Sequence, residues 1–318
     1  MKPAFLFPGQ GSQVVGMGRD LYDNFPAARL TFTEADEALN FPLSKLIFEG
    51  PEDQLRLTEN TQPAILTVSV AATRVLAERG ITPALAAGHS LGEYSAHVAA
   101  GTIQFADAVR TVRDRGRYMQ QAVPAGEGAM AAILALDAAK ITEICAQVAA
   151  ETSQVVAPAN LNSPDQTVIS GAVAAVELAA QRCKDAGARK TVMLAVSAPF
   201  HCDMMQPAQD ALAKDLESLA FNDPTIPVAA NVDARLVTRG PDARDCLIRQ
   251  VTGAVRWVEC IQLLASQGAT HFLEVGPGKV LSGLNRQILG KDAATPTANV
   301  EDSASLEKAQ ALLSMQSI

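Results

Sequence analysis

The stretch Gly88-His89-Ser90-Leu91-Gly92 decides how the rest of the chain is read. It follows a short apolar run, Pro83-Ala84-Leu85-Ala86-Ala87, and opens a helix-like segment over 93–100. A serine with glycines two before and two after it, at a strand-to-helix junction, has the pattern of a nucleophile elbow. The glycines allow a sharp turn without Cβ clashes, so the hydroxyl projects at the top of a sheet. The helix that follows aims its first N–H groups at developing negative charge. The same five residues also read as a glycine-rich turn with a capping serine, and only the remaining chain separates the two.

Outward from the elbow, strand and helix signals alternate. Residues 4–7 read as a strand, and Pro8-Gly9-Gln10-Gly11-Ser12-Gln13 as a tight polar loop after it. The pattern predicts helix over 19–39 with a break at Pro26, and a short helical restart over 51–57. A helix over 64–79 is expected next, with Pro63 in its first turn and Gly80 closing it. Another, over 105–122, carries Arg113, Arg115 and Arg117. Beyond His201 come a helix to about 219, a strand over 225–231, helices over 242–251 and 258–267, a strand over 270–275 and a helix over 280–289. From Lys291 the chain reads as polar and frayed until a weak helix over 306–315. Such alternation argues for a parallel sheet with helices on both faces.

Composition changes after Pro124-Ala125-Gly126-Glu127-Gly128. Strands over 129–136, 154–160, 167–170 and 190–196 interleave with helices over 138–151 and 172–186. The order strand-helix-strand-strand-helix-strand is the ferredoxin-like split unit, here inserted into the larger domain.

With 318 residues, 48% hydrophobic and 19% charged, the chain is globular and long enough for a large domain plus a small one. A net charge of -8 gives no global basic footprint for nucleic acid or an anionic membrane. No apolar run approaches a bilayer span, and the N-terminal apolar stretch is too short for a secretory signal, so a cytoplasmic protein is expected. The five cysteines, Cys145, Cys183, Cys202, Cys246 and Cys260, are scattered and form no CxxC pair. Neither a disulfide framework nor a zinc site follows. Cys202 beside His201 invites a thiol-nucleophile reading, against the commoner buried free cysteine of a reducing compartment.

Six segments, in register along the chain, give the elbow company. They are Pro8-Gly9-Gln10-Gly11-Ser12-Gln13, Gly88-His89-Ser90-Leu91-Gly92-Glu93-Tyr94, Arg115-Gly116-Arg117-Tyr118-Met119, Asn160-Leu161-Asn162-Ser163-Pro164, Pro199-Phe200-His201 and Glu274-Val275-Gly276-Pro277-Gly278. Together they resemble the malonyl-CoA:acyl carrier protein transacylases of type II fatty acid synthesis. The resemblance implies an α/β fold: a hydrolase-like core of residues 1–125 and 197–318, with a ferredoxin-like α+β subdomain over 126–196. It implies malonyl transfer from malonyl-CoA to the phosphopantetheine thiol of acyl carrier protein, by a monomer with no metal and no bound cofactor.

The same resemblance assigns roles. Ser90 is the expected nucleophile, and His201 the base that a weakly nucleophilic hydroxyl needs. Gln250 is carried over as the residue whose main-chain carbonyl orients His201, in place of the acidic residue of a hydrolase triad. An elbow uses the N–H after its nucleophile, here Leu91, as one oxyanion donor; Gln10 is the second by resemblance. Each such donor is typically worth about 3–4 kcal/mol in the transition state. Arg115 matches the malonyl carboxylate, because a planar guanidinium offers it two parallel hydrogen bonds. An acyl group without a carboxylate would leave that cation unpaired, at a cost of roughly 1–3 kcal/mol. Further substrate contacts are expected at His89, Gln62, Asn160, Phe200, Met119 and Val280. Of the other histidines, His97 and His271 read as structural.

Rival readings stay open at this stage. A serine esterase would order its triad serine, acid, histidine, and Asp165 and Asp185 lie between Ser90 and His201, though both fall in the insert. Acetyl or methylmalonyl specificity is a closer rival. A catalytically dead carrier-binding module is the non-enzymatic one. Since carrier proteins are acidic, docking calls for a local basic patch, for which Arg182, Lys184, Arg189 and Lys190 are candidates beside the alternative of a solvated helix face.

Overall fold

A computed structural model describes residues 1–196, 198–290 and 295–314. Ten strands follow in chain order: β1 (Pro3–Phe7), β2 (Leu85–Gly88), β3 (Gly128–Leu134), β4 (Val156–Ser163), β5 (Gln166–Ala172), β6 (Lys190–Met193), β7 (Val228–Ala229), β8 (Leu236–Val237), β9 (His271–Val275) and β10 (Thr297–Val300). They form two sheets. The larger has the order β10-β9-β1-β2-β7-β8 and is parallel except for the β7–β8 hairpin.

β1 shows why this sheet is covered on both faces. Its residues alternate sides, and both sets are buried, as expected of a parallel strand between helical layers. Phe5 and Phe7 join the core under the long helix Thr58–Glu78 with Ile65 and Val68. Ala4 and Leu6 join Trp257, Ile261 and Leu264 of the helix Trp257–Ser266 on the other side.

The smaller sheet is antiparallel, in the order β4-β5-β3-β6. One face carries Ala131, Ile133 and Ile169 against the helices Ala138–Thr152 and Val173–Asp185. This is the ferredoxin-like unit, and the α/β class with a mostly parallel core sheet holds. The opposite face, Met130, Ala132 and Val168, packs with Leu194, Val196 and Phe200 toward the core. The small sheet is also held by backbone hydrogen bonds to residue 255, just before the helix Trp257–Ser266. β4 breaks register with β5 between Pro158 and Asn160 and again between Leu161 and Ser163. There Val255 N–H donates to the Ala159 carbonyl (2.8 Å) and Leu161 N–H donates to the Val255 carbonyl (2.9 Å). Bulges of this kind re-aim side chains, and here they turn Asn160 and Asn162 toward the elbow.

Several elements depart from the sequence expectation. The helix expected at 64 begins at Thr58, so Pro63 lies inside it rather than in its first turn. The helix Leu43–Glu49 was not expected, although Leu43, Leu46 and Ile47 are buried at helical spacing. The strand expected over 225–231 shrinks to β7, because Pro227 has no N–H for a ladder and the chain turns back at Ala230. The strand expected to reach 196 stops at Met193. β10 lies in the stretch expected to fray: it pairs only with β9, as an edge strand, and buries Val300 in the core. Residues 291–294, the Met315 end of the last expected helix, and residue 197 at the expected domain junction lie outside the described residues. Among those described, no helix is long and apolar enough to cross a membrane.

The helix Phe105–Gln121 crosses the helix Thr58–Glu78 at Gly116, where a Cβ would stand 2.6 Å from the Thr58 carbonyl oxygen. Alanine favours a helix interior over glycine by about 1 kcal/mol, but overpacking costs roughly 1–3 kcal/mol. Gly116→Ala is therefore expected to lower the melting temperature despite its better helix propensity, as differential scanning calorimetry would show.

Candidate active site

The elbow is built by close approach. A Cβ on Gly88 would run into the backbone of Gly92, and one on Gly92 into the Phe7 carbonyl. Between them Ser90 adopts φ 52°, the left-handed conformation that an ordinary residue occupies only under constraint. Asn231 supplies the constraint. Its Oδ1 accepts from Ser90 N–H (2.8 Å), and its Nδ2 donates to the Gly88 carbonyl (2.8 Å).

Ser90 Oγ lies 2.7 Å from His201 Nε2. The other ring nitrogen, Nδ1, faces two acceptors, the carbonyls of Gln250 (2.9 Å) and Gly253 (3.1 Å). Those partners assign the proton to Nδ1 and leave the Nε2 lone pair for the serine hydroxyl. Among the described residues no carboxylate hydrogen-bonds this ring. Asp165 and Asp185 sit in the small unit, where Asp165 accepts from Ala135 N–H through its carbonyl and Asp185 from the Gln181 amide. His201 is itself at φ 60° and buried. Burial first, and then the Arg115 charge, push its pKa down to about 3, against the smaller opposing pull of the two carbonyls. The ring is thus a neutral acceptor at neutral pH.

Arg115, 1% exposed, points from the crossing helix at the same hydroxyl. Nη1 donates to Gln62 Oε1 (2.8 Å), and Nη2 donates to Ser90 Oγ (3.1 Å) and Gln250 Oε1 (3.0 Å). Its Nε has no partner among the described residues, and the Tyr94 ring lies 5.7 Å away. Burial lowers its pKa, but from a value so high that the guanidinium remains charged. Arg113, by contrast, stacks on Phe41 and Arg117 pairs with Asp114, both away from the hydroxyl.

A cavity of about 210 Å³ opens above Ser90 and His201. Gln10, Gln62, His89, Leu91, Arg115, Met119, Asn160 and Phe200 all border it. Val280 does not. It is 56% exposed and lines a neighbouring hollow on the far side of Gln10 and His89, because Glu274 caps the start of its helix and fixes it there. Gln250 lies behind the cavity wall and acts on it through His201 and Arg115. Met130, Val168, Leu194 and Val196 complete an apolar wall that was not foreseen.

Other participants were also missed. Asn231 ended an expected strand with nothing to mark it. Glu93 stood in the quoted elbow segment without a role. Asn162 accepts from or donates to His89 Nε2 across 2.8 Å, tying the elbow to β4. His97 and His271 are buried away from the cavity, and Cys202 Sγ is turned to the Pro199 carbonyl (3.2 Å). Among the described residues no cluster of three or more His, Cys, Asp or Glu could hold a metal ion.

A family model described as an acyl transferase domain matches residues 4–308. The malonyl CoA-acyl carrier protein transacylase of Escherichia coli is 51% identical over 302 residues, 95% of this chain and 96% of that one. The enzyme of the same name from Bacillus subtilis is 51% identical over 90% of each chain. Among solved structures, an acyl carrier protein S-malonyltransferase from Vibrio cholerae superposes with a TM-score of 0.94 at 48% identity, covering 97% of this chain and all of that one. A malonyl-transacylase solved in complex with a type II PKS acyl-carrier protein gives 0.93 at 47% identity, covering 97% and 99%.

An ordinary histidine stops acting as a base as pH falls through 6.5. With its pKa lowered to about 3, His201 keeps its lone pair well below that. The rate at which an uncharged p-nitrophenyl ester acylates Ser90 is therefore expected to show no acid limb near 6.5, over the range in which circular dichroism shows the fold intact.

Proposed function

The chain belongs to the acyl transferase family, and we propose that within it the Ser90 site carries malonyl from malonyl-CoA to the phosphopantetheine thiol of acyl carrier protein, supplying fatty acid elongation. The observation that carries the reading is Arg115: a buried cation with no carboxylate of its own in contact, 3.1 Å from the nucleophilic oxygen. In a malonyl ester the free carboxylate is only three bonds from that oxygen. Such a tether brings it within reach of the guanidinium and allows little else to reach.

In the first half-reaction the Ser90 hydroxyl proton moves to His201 Nε2 as Oγ bonds to the thioester carbon. The tetrahedral oxyanion is held by the N–H groups of Leu91 and Gln10. As the C–S bond breaks, His201 returns the proton to the coenzyme A sulfur. The second half-reaction runs the same steps in reverse: the carrier thiol gives its proton to His201, sulfur attacks the ester carbon, and Ser90 Oγ leaves with the proton. The Gln250 and Gly253 carbonyls stabilise the transient imidazolium through Nδ1–H, more weakly than a carboxylate would.

His89, Gln62, Asn160, Phe200 and Met119 shape the acyl pocket, and the apolar wall favours a thioester over water. The carrier docks on the small unit, where Lys184, Arg189 and Lys190 are exposed. Arg182 contributes less, since Glu151 already pairs with it at 2.6 Å.

Incubation with malonyl-CoA should add one malonyl mass to the peptide containing Ser90, and Ser90→Ala should abolish it. Carrier protein should discharge the adduct much faster than water; the opposite order would make the protein a hydrolase. Replacing Arg115 with Ala is expected to cut kcat/KM for malonyl-CoA roughly a hundredfold, with a far smaller loss for acetyl-CoA.

A further inference from the structure

We propose that Glu93 is a positioning residue for carboxylate recognition: ionised, it reinforces the direction in which the Gln250 amide faces, and through that amide it steadies the Arg115 guanidinium at Ser90. The inference rests on the reading of Arg115 as the receptor for the substrate carboxylate. Glu93 is the second residue of the elbow helix Gly92–Ala99 and is 0% exposed. Its Oε2 accepts from Gln250 Nε2 (2.7 Å) and from Asn231 N–H (3.0 Å). At the other end of the same amide, Gln250 Oε1 accepts from Arg115 Nη2 (3.0 Å). An amide therefore bridges a buried anion and a buried cation.

A carboxylate only accepts, a guanidinium only donates, and an amide has one end for each. With both charges present only one orientation of Gln250 satisfies them. Protonating Glu93 turns it into a potential donor and weakens the preference, leaving the Ser90 carbonyl (2.9 Å) and Asn231 Oδ1 (3.3 Å) as the acceptors that hold Nε2. A reversed amide would set its NH₂ against the guanidinium, donor to donor, and Nη2, the nitrogen that touches Ser90 Oγ, would lose an acceptor. The indirect arrangement also matters. A direct carboxylate–guanidinium pair would be bidentate and would occupy the edge that recognition requires. With the amide between them, Glu93 balances the charge while the edge facing Ser90 stays available.

Glu93 is placed to change charge near neutrality. Burial raises its pKa to about 7, against the Asn231 N–H, the Gln250 amide and the Arg115 charge, while Asp233 pushes it further up. The other titratable groups facing it are neutral there. His97 Nε2 stands 4.0 Å from Oε1, with a pKa lowered to about 3 by burial. The Tyr94 hydroxyl and the Cys246 and Cys260 thiols are all pushed up by burial. The network is therefore held most firmly with Glu93 ionised, above about pH 7, and loosens as pH falls through it.

The test compares Ser90 acylation by malonyl-CoA and by acetyl-CoA in the wild-type chain, Glu93→Gln and Glu93→Asp, across about pH 5.5 to 8.5. In the wild type, KM for malonyl-CoA should rise roughly tenfold as pH falls through about 7, while acetylation lacks that limb. Glu93→Gln should show a raised KM for malonyl-CoA at every pH, with kcat less affected and the limb gone, and Glu93→Asp should restore part of both. Coincident wild-type profiles for the two substrates, or a Glu93→Gln chain with the wild-type KM and limb, would overturn the proposal. Should both variants fail to fold by circular dichroism, the wild-type comparison still decides. If neither substrate labels Ser90, the transacylase reading fails first and this inference falls with it.

Discussion

A guanidinium removed from water beside a serine hydroxyl is the constraint on which the site turns. Burying a charge is costly unless it is hydrogen-bonded and balanced. Arg115 meets neutral acceptors on one side, Gln62 and Gln250, and a remote negative charge behind the second of them. Two long helices must cross closely enough to bring it there, and Gly116 is what permits the approach. Burial does most to keep His201 neutral, and the same positive charge adds to it, so the cation placed for an acyl carboxylate also helps to leave the base unprotonated.

The second organising element is a run of eight residues, 250–257. Its first carbonyl, at Gln250, and the one at Gly253 hold His201. Val255 pairs with β4, Arg256 N–H donates to the Asn231 carbonyl (3.1 Å), and the Trp257 ring meets His89 edge-on at 5.5 Å. Base orientation, the joint between the sheets and the rear of the elbow are therefore set by the same short stretch. Any displacement of it would reach the nucleophile by three routes at once.

How much of this could be read in advance depended on the range of the interaction. The elbow was legible because its glycine spacing is local and its cause steric. The split βαββαβ order was legible because each element carries its own periodicity. The pairing of Ser90 with His201, 111 residues away, rested on resemblance rather than on any pattern in either segment. Asn231 and Glu93 carried no local mark at all: their roles exist only where the end of β7, the elbow helix and Gln250 meet. Val280 lies outside the cavity above Ser90, in the neighbouring hollow it shares with Gln10 and His89, while Glu274 of the same segment caps its helix. β10 escaped notice because its apolar face is only two residues, Ala298 and Val300, in a four-residue strand, and Pro63 misled because a proline inside a helix mimics one at its start.

β4 directs the backbone groups of Ala159 and Leu161 to Val255, outside the small sheet. The unit of inheritance is therefore discontinuous. A recombinant that grafted residues 126–196 from another acyltransferase would replace one half of a backbone ladder and keep the other. Each buried group left unmatched would cost roughly 1–3 kcal/mol, and the misfit would lie directly behind His201. Modules exchanged between such enzymes would have to travel as two pieces, the small sheet together with residues 250–257, even though more than fifty residues of unrelated chain run between them.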